Sequence, residues 1–394
     1  MEYNPFSPEV QANPFPYYAY LRKHAPAYQI PNMGLWAVSR YDDVMKVLRT
    51  PQIFSSFGFF SFFMGDLDPF LPEAPPIIGV DPPDHTRLRK LVNRAFTPRR
   101  VASLERKVRE VALRLLERIS AHGEFDFVQN LSIPLPVIVI AELLGVPPER
   151  YPDFRRWTDS VVQATNGTII APEKRGEIRR NFDELFVYFR ESIAAYRRQP
   201  VDNLISDLIR AEEENQTLTS EEVLSLAVFI IIAGSETTAN LIANATLALC
   251  EHPEQMAKVR ANPALIPNVV EETLRCEGSI QLIPRLSTQD CEIAGTTIPA
   301  GSPVMALLGS ANHDERKFPD PDRFDITRNT EGHVGFGFGI HFCLGSQLAR
   351  LETKTVLETL LERFPRFARK DNQPLERIGS IVVRGLKALP LVVG

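Results

Sequence analysis

This sequence of 394 residues has few cysteines and no long apolar run near its start. Its four cysteines stand far apart, without the paired spacing of a zinc site or the density of a disulfide framework, which fits a reducing compartment. The segment from Met1 to Tyr28 mixes acidic residues with prolines and lacks the charged start and apolar run of a signal peptide. We therefore expect a cytoplasmic protein.

Apolar runs of membrane-spanning length and an excess of positive charge are also missing. The most apolar stretches, Leu131–Val146 and Leu224–Ala233, are short or interrupted by Glu142, whereas a bilayer span needs about 20 apolar residues. The formal net charge is −5, whereas a general nucleic-acid binder is basic. We expect neither a membrane anchor nor a nucleic-acid partner.

No linker, repeat or low-complexity segment divides the chain. Its composition is that of an ordinary globular protein, with 44% apolar and 24% charged residues. Chains longer than about 250–300 residues usually split into domains at flexible linkers, yet this one has no Gly/Ser run or charge block. We therefore predict a single domain over residues 1–394, organised around a group that is not protein.

Helices are predicted up to about residue 280, and small sheets beyond it. Helix formers with apolar residues at helical spacing cover Val101–Ala121, Phe182–Arg198 and Ser220–Cys250. Short β-type runs bounded by turn residues, some of them near the two ends of the chain, are Leu35–Val38, Glu292–Ile293, Thr296–Ile298, Val304–Leu308, Ile381–Val383 and Leu391–Val393. The predicted class is mainly α with small β-sheets.

One cysteine stands in a distinctive setting. The segment Phe336-Gly337-Phe338-Gly339-Ile340-His341-Phe342-Cys343-Leu344-Gly345 precedes a strongly helical run, Ser346 to Arg363, so that Cys343 is predicted to enter a helix. Free N–H groups at a helix N-terminus stabilise a thiolate, and glycines let the backbone approach a flat ligand. A lone cysteine is more often a small core residue. The spacing Phe-x-x-Gly-x-x-x-Cys-x-Gly favours a sulfur ligand for a metal instead.

This segment resembles the haem-binding loop of cytochromes P450, in which the cysteine is the axial ligand of the iron. The resemblance runs from about Asn13 to Leu391. It implies the helix-rich cytochrome P450 fold, enclosing haem b (iron protoporphyrin IX) with Cys343 as the metal ligand. Phe338 departs from the family, which often has His or a small residue there, and this affects only the expected packing beside the cysteine.

A second motif lies inside the predicted helix Ser220–Cys250, which Thr219-Ser220-Glu221-Glu222 opens in the form of a capping box. Polar residues in a buried helix cost free energy unless they are satisfied or useful, so Gly234-Ser235-Glu236-Thr237-Thr238 is an exposed turn, a helix bend or a functional segment. It resembles the oxygen-activating stretch of P450s. The resemblance implies that Glu236 and Thr237 are catalytic, ordering water and delivering protons.

Further positions match the family by their order along the chain. The resemblance implies that the haem propionates bind four donor side chains, namely His85, Arg89, Arg285 and His341. Taken singly, each would be interpreted as a solvated residue. Glu272, Arg275 and Arg323 resemble the family's Glu-x-x-Arg motif and its later arginine, and are predicted to form a structural ion network.

The segment from Phe54 to Phe70 contains seven phenylalanines, and no Lys or Arg occurs between Phe54 and Ile78. By chain position it resembles the roof of the P450 distal pocket. About half of the rings are expected to pack on the core and the others to line the pocket. Without a cationic clamp, we expect a neutral apolar substrate of terpenoid, steroid or fatty-chain type. Further pocket contributors implied by the resemblance are Ala233, Gly234, Ile280–Ile283 and Ser380–Val382.

The resemblance implies a haem-thiolate mono-oxygenase that hydroxylates or epoxidises its substrate with dioxygen. No reductase segment follows the cysteine helix, so the two electrons are expected from an external ferredoxin or flavodoxin and its reductase. The basic run Arg87–Arg94, with Arg99 and Arg100, could meet such an acidic partner, although a charge-rich helix is more often a solvated face. We expect a monomer.

Two other classes of haem protein are alternatives. A gas sensor or carrier needs no proton relay and is expected to have an output domain, which the sequence lacks. An isomerase or peroxygenase is expected to lack the pair Glu236 and Thr237. Both comparisons favour the mono-oxygenase.

Overall fold

The computed structural model describes residues 1–57, 73–119, 123–165, 172–213, 216–371 and 373–394. The chain divides into two compact units. The first unit contains Met1–Ser55, Val108–Pro134 and Thr237–Gly394, and the second contains Ser56–Lys107 and Leu135–Glu236.

Helices dominate both units, which confirms the predicted class. Numbered along the chain, the α-helices are α1 Pro8–Ala12, α2 Phe15–His24, α3 Tyr41–Arg49, α4 Asp84–Ala95, α5 Pro98–Ser103, α6 Glu105–Glu117, α7 Pro134–Leu144, α8 Tyr151–Thr165, α9 Pro172–Arg198, α10 Leu204–Arg210, α11 Ser220–Glu251, α12 Pro253–Ala261, α13 Ile266–Cys276, α14 Leu308–Ala311 and α15 Ser346–Arg363. The helix predicted after the cysteine motif has the same bounds as α15. Proline in the first turn is tolerated because those N–H groups have no partner within the helix, and several of these helices begin in this way.

Small sheets accompany the helices. The strands are β1 Ala27–Gln29, β2 Trp36–Val38, β3 Phe54–Ser55, β4 Gly123–Asp126, β5 Glu212–Glu213, β6 Gln216–Thr217, β7 Ile283–Ser287, β8 Cys291–Ile293, β9 Thr296–Ile298, β10 Pro303–Ala306, β11 Phe367–Arg369 and β12 Pro390–Val393. In the first unit, β1-β2-β10-β7-β3 form a five-stranded sheet, β11-β12-β4 form a three-stranded sheet, and β8 pairs with β9. The pair β5-β6 belongs to the second unit.

The five-stranded sheet anchors a hydrophobic cluster in the first unit. Strand β2 pairs in parallel with β10, and β7 pairs with β10 in antiparallel register, with Arg285 opposite Val304. Buried side chains of β2 and β10 pack with those of α3 around Val47 and Leu48. The sheet thus gives β7, and with it Arg285, a fixed position beside a packed core.

The capping box predicted for the longest helix is confirmed at α11. The Glu222 amide donates to Thr219 Oγ1 at 3.1 Å, and the Thr219 amide donates back to Glu222 Oε2 at 2.8 Å. By length and composition α11 could cross a membrane, but 61% of its most apolar window is buried in the protein. A buried core helix passes the same test, so α11 is only weak evidence for a membrane span.

The main differences between the predicted and the observed elements concern one helix and three strands. The helix Val101–Ala121 is two helices, because Thr97 caps a short α5 and Leu104 interrupts the run before α6; residues 120–122 lie outside the described part of the chain. The predicted strand Val304–Leu308 ends at Ala306 and is followed by α14. Ile381–Val383 makes a single bridge, from Val383 to Ile280. Strand β7 was not predicted, since Pro284 removes a ladder donor and argues against a strand.

Candidate active site

The cysteine segment of the first unit folds into a loop that closes on itself. The Cys343 amide donates to the Phe336 carbonyl at 3.1 Å, and the Phe342 amide donates to the Gly339 carbonyl at 3.1 Å. Gly337 and Gly339 have φ angles of 69° and 75°, in the left-handed region that side chains with a Cβ avoid. A Cβ at Gly339 would also lie 2.7 Å from the Leu48 carbonyl oxygen. The loop therefore needs a glycine at this position.

Cys343 lies just before a helix, at its N-terminal end, as the sequence predicts. Helix α15 begins at Ser346 with Gly345 as its N-cap, and the Ser346 amide points back to the Cys343 carbonyl at 3.5 Å. The thiol remains next to the positive end of the helix, where a thiolate is favoured. Cys343 as a residue is partly exposed.

The residues around Cys343 fit a haem better than a metal held by protein ligands alone. In the part of the chain that the structure describes, no group of three or more His, Cys, Asp or Glu side chains could hold a metal ion. A porphyrin supplies most of the ligands of its metal and would need only the Cys343 sulfur from the loop. A Cβ at Gly345 would meet no atom within 4 Å, which leaves open space beside the loop.

An ion pair behind the loop joins the loop to two helices. Arg350 of α15 donates from Nε and Nη2 to the two oxygens of Glu271 on α13, at 2.6 and 3.0 Å, and His333 Nε2 lies 3.0 Å from the same carboxylate. Burial alone would raise the pKa of Glu271, but the bonds from His333 and Arg350 outweigh burial and lower the pKa to about 2. The carboxylate stays charged, and it fixes the start of the loop.

Two aromatic rings of the loop lie under guanidinium groups. The Arg350 guanidinium lies 4.6 Å from the Phe336 ring centre, and that of Arg49 lies 4.8 Å from the ring of Phe338. Phe338 was the position that departs from the family pattern. Its exposed ring is stabilised by Arg49, which explains how the loop accommodates it.

The Glu-x-x-Arg pair forms the predicted network, but with a different third residue. Arg275 donates to both oxygens of Glu272, at 2.8 and 2.9 Å, and both side chains are fully buried. Arg328 Nε donates to Glu272 at 3.2 Å. Arg323 was predicted to be the partner, yet its side chain is 63% exposed and only its carbonyl accepts a bond from Arg275. The prediction for Arg323 was wrong because Arg328 is the arginine whose side chain reaches the buried carboxylate.

The polar motif of α11 is part of a continuous helix, so an exposed turn is excluded. Ser235, Thr238 and Asn240 are buried, while Glu236 and Thr237 are partly exposed. A Cβ at Gly234 would lie 2.7 Å from Ile140 Cδ1, which explains the mid-helix glycine by close packing against α7 within the second unit. Glu236 and Thr237 remain candidates for chemistry.

The predicted propionate ligands fall in both units. Arg285 on β7 is buried and donates from Nη1 to the Pro284 carbonyl at 2.8 Å, and His341 lies in a 3₁₀ turn, Gly339–His341, just before the cysteine. With Thr237 and Cys343 they belong to the first unit. His85 and Arg89 share one face of α4 in the second unit, which also contains Glu236.

The aromatic segment is described only in part. Phe54 is fully buried in β3, which agrees with packing on the core, and Phe57 is 74% exposed. The other predicted rings lie outside the described residues, namely Phe59, Phe60, Phe62, Phe63 and Phe70.

Comparison with known proteins identifies the family. The family model for cytochrome P450 matches residues 170–388. The chain belongs to the cytochrome P450 family. The P450 structure of CYP109Q5 from Chondromyces apiculatus superposes with a TM-score of 0.92 at 43% identity, covering 100% of this chain and 98% of that one. The helix-rich P450 fold is thereby confirmed.

Two curated P450 relatives have named activities. Cytochrome P450 monooxygenase PikC of Streptomyces venezuelae is 40% identical over 96% of this chain and 91% of its own length. Vitamin D(3) 25-hydroxylase of Pseudonocardia autotrophica is 38% identical over 99% and 96%. The chain is accordingly a P450 mono-oxygenase, and the family implies a haem-thiolate cofactor.

Proposed function

We propose that this P450 hydroxylates or epoxidises a neutral apolar molecule of steroid, terpenoid or fatty-chain type. The observation that carries the chemistry is the partly exposed Cys343 in a loop fixed by α13 and α15. In the overall reaction, substrate, dioxygen, two electrons and two protons give the oxygenated product and water. The electrons come from a reduced nicotinamide through a ferredoxin or flavodoxin and its reductase.

Haem b is the proposed cofactor, with Cys343 as its thiolate ligand. When bound, it activates dioxygen for insertion into the substrate. His85, Arg89, Arg285 and His341 are proposed to bind its propionates by charge-assisted hydrogen bonds. Arg285 lies on β7 beside the packed core, and its guanidinium has the donor geometry that suits a carboxylate.

Glu236 and Thr237 are proposed to supply the protons. A carboxylate and a hydroxyl exchange protons through water, and both residues are partly exposed on α11, as are the neighbouring residues 232–234. Thr237 would hold a water at its hydroxyl oxygen, and Glu236 would renew the proton that this water gives up.

The substrate class rests on the apolar side chains near the proposed site and on the relatives. Ile280, Ile283, Ile381 and Val382 keep partly exposed surfaces, whereas Leu282 is buried. Partly exposed apolar side chains are typical of a pocket for a neutral ligand. The named substrate of the Pseudonocardia relative, vitamin D3, is a molecule of this kind. Ala233, Gly234 and Ser380 are proposed to complete the lining.

The docking surface for the redox partner is proposed on α4 and α5. Arg87 pairs with Glu222, and Arg100 pairs with Asp207, so these two arginines have structural roles. Arg94 and Arg99 have exposed side chains and could meet an acidic ferredoxin or flavodoxin. We also propose that residues 1–394 form one P450 domain and act as a cytoplasmic monomer.

The ligand assignment is tested with carbon monoxide. Purified, reduced protein is expected to show the red-shifted absorption band of thiolate-ligated haem, and Cys343→Ala is expected to lose it completely. Cys291→Ala serves as the matched control because Cys291 is also partly exposed but lies on β8. Retention of the band in Cys343→Ala would refute the assignment.

The substrate class is tested by a binding screen. Vitamin D3, testosterone and a fatty acid are titrated into the purified haem protein, and the shift of the haem absorption band is recorded. The steroid-like neutral compounds are expected to shift the band at lower concentration than the carboxylate. Tighter binding of the fatty acid would overturn the proposed preference for a neutral ligand.

A further inference from the structure

A serine outside α11 bonds to the backbone of the helix at Thr237. Ser279 is buried, and its hydroxyl donates to the Thr237 carbonyl oxygen at 2.8 Å. In an α-helix this carbonyl already accepts the amide hydrogen four residues later, that of Leu241. A carbonyl oxygen has two lone pairs and can accept both bonds. The orientation of this peptide unit therefore depends on a residue that is not part of the helix.

The backbone of Ser279 is itself hydrogen-bonded to a residue that an ion pair holds in place. Its carbonyl accepts a bond from the Arg384 amide at 2.8 Å, and Arg384 Nε donates to Glu277 at 2.7 Å. Burial alone would raise the pKa of Glu277, but the charges of Arg384 and Arg377 outweigh it and lower the pKa. Glu277 therefore stays ionised and holds Arg384 in place.

The same group of residues contacts α11 two turns further on. Asn244 Nδ2 donates to the carbonyls of Glu277 and Arg384 at 2.9 and 3.0 Å. Asn244 follows Thr237 by seven residues, which is about 10 Å along the axis on the same face of the helix. Glu277, Ser279 and Arg384 thus bridge two turns of α11, and we call these three residues the splint.

The contact between the splint and the helix is close along its length. Asn240 lies between Thr237 and Asn244, and a Cβ at Gly385 would be only 2.0 Å from Asn240 Oδ1. Only glycine allows the chain after Arg384 to approach the helix so closely. This helical segment is thus hydrogen-bonded from outside at the Thr237 carbonyl and the Asn244 side chain, and it is closely packed at Asn240 between them.

We propose that Ser279 is a positioning residue for oxygen activation. It fixes the Thr237 carbonyl and, through it, the helical turn from which the Thr237 hydroxyl projects. This inference rests on the proposed role of Thr237 in proton delivery. Without the Ser279 hydroxyl, the turn at Thr237 opens more easily, and the Thr237 hydroxyl spends less time in the orientation that holds the water. Reducing equivalents are then lost to hydrogen peroxide, which takes up the two electrons and two protons that would otherwise give product and water.

The first measurement needs neither substrate nor turnover. Exchange at the Leu241 amide requires the helix to open at its bond to the Thr237 carbonyl, and this opening also breaks the Ser279 hydrogen bond. In Ser279→Ala, exchange at Leu241 is therefore expected to be about fivefold faster, the effect of one hydrogen bond. Ser279→Thr, which keeps a hydroxyl, is expected to exchange like the wild type. Ser39→Ala is the matched control, because the buried Ser39 hydroxyl also donates to a backbone carbonyl, that of Pro26.

The second measurement is coupling, as product formed per reduced nicotinamide consumed with the tightest-binding compound of the screen. Ser279→Ala is expected to lower coupling roughly two- to fivefold at unchanged haem content, since a bond worth a factor of this order is lost. Ser279→Thr is expected to restore it. Wild-type exchange at Leu241 in Ser279→Ala, or an equal effect of Ser39→Ala, would overturn the inference.

A Thr237→Ala variant measured in parallel separates the positioning role of Ser279 from the proposed proton delivery by Thr237. If Thr237→Ala is uncoupled while Ser279→Ala stays coupled, the positioning role alone is refuted. If Thr237→Ala itself keeps wild-type coupling, the proposed proton delivery fails, and the role of Ser279 fails with it.

Discussion

Two regions differ in whether their buried polar groups are hydrogen-bonded. One is the ion network behind the cysteine loop, and the other is the polar segment Gly234–Asn240 of α11, here called the polar turn. Behind the loop, Glu271 and Glu272 each accept hydrogen bonds from cationic side chains in good geometry. In the polar turn, Ser235 Oγ and Asn240 Nδ2 are buried with no hydrogen-bond partner among the described residues. An unsatisfied buried group costs about 1–3 kcal/mol.

The difference separates residues that build the site from residues proposed to act in it. A satisfied ion network rigidifies its surroundings, although it adds little net stability compared with apolar packing. Unsatisfied groups within a continuous helix lower stability and are expected where water or a ligand completes the bonding. On this view, changes behind the loop should alter stability, and changes in the turn should alter turnover.

The largest expected effect is that of Glu236→Gln. The amide cannot donate and regain a proton as the acid does, so product formation should fall by about 10²–10⁴-fold where this step limits the rate. Turnover in a reconstituted system is the measurement, with Glu251→Gln at the far end of α11 as the control. Equal losses in both variants would show that the effect is not specific to position 236.

Replacing Glu272 tests the ion network behind the cysteine loop. Glu272→Gln leaves the buried guanidinium of Arg275 without its counter-charge, and unfolding free energy should fall by about 3–5 kcal/mol. Denaturant unfolding is the measurement. Arg328→Ala should also destabilise the protein, whereas Arg323→Ala should stay within about 0.5 kcal/mol of the wild type because its side chain is exposed. The reverse order would restore Arg323 to the network.

Arg285→Ala tests a proposed cofactor contact on the first unit's sheet. Loss of a charge-assisted partner should weaken haem retention by about 1.5–3 kcal/mol. Haem loss to a competing apo-protein acceptor measures this directly. Arg366→Ala removes an exposed arginine and should leave the rate of haem loss unchanged. Unaltered haem retention in Arg285→Ala would remove this residue from the site.

Thr237→Ala sharpens the comparison from within the turn. Haem binding and stability should stay near wild type, while nicotinamide consumption continues and product per nicotinamide falls severalfold. Thr246→Ala is the control, since Thr246 is a buried threonine of the same helix that bonds to the Ile242 carbonyl. Wild-type coupling in Thr237→Ala would show that Thr237 has no part in proton delivery and that the polar turn serves only packing.

The last prediction concerns an exception on α15. Glu352 is fully buried, its Oε2 has no partner among the described residues, and burial raises its pKa from 4.5 to about 8. The neutral acid is the stable form, so its contribution is fully present below pH 4.5 and is lost as the pH rises towards 8. Glu352→Gln stays neutral, and its stability relative to wild type should increase over this range. A pH-independent difference in unfolding free energy would contradict this.

Short-range patterns in the sequence were sufficient to predict part of this structure. The capping box at Thr219 and the bounds of α15 depend on neighbouring residues, whose spacing alone predicts their hydrogen bonds. The cysteine motif is also local, and it led to the P450 family, which the comparisons confirmed. The pair Glu272 and Arg275 could be predicted for the same reason, since both residues lie on one helix three positions apart.

Contacts between distant segments were decided only by the tertiary structure. Arg328 and Arg323 are equally plausible partners of Glu272 in sequence, and only the course of the chain shows which side chain is buried. Ser279 lies 42 positions from Thr237, and no local pattern marks a serine that bonds to a helical carbonyl. The sequence by itself determined the cysteine loop and the helices α11 and α15, because short-range hydrogen bonds and periodic burial define them. The tertiary structure decided which polar groups are satisfied, because that depends on what the folded chain packs against each one.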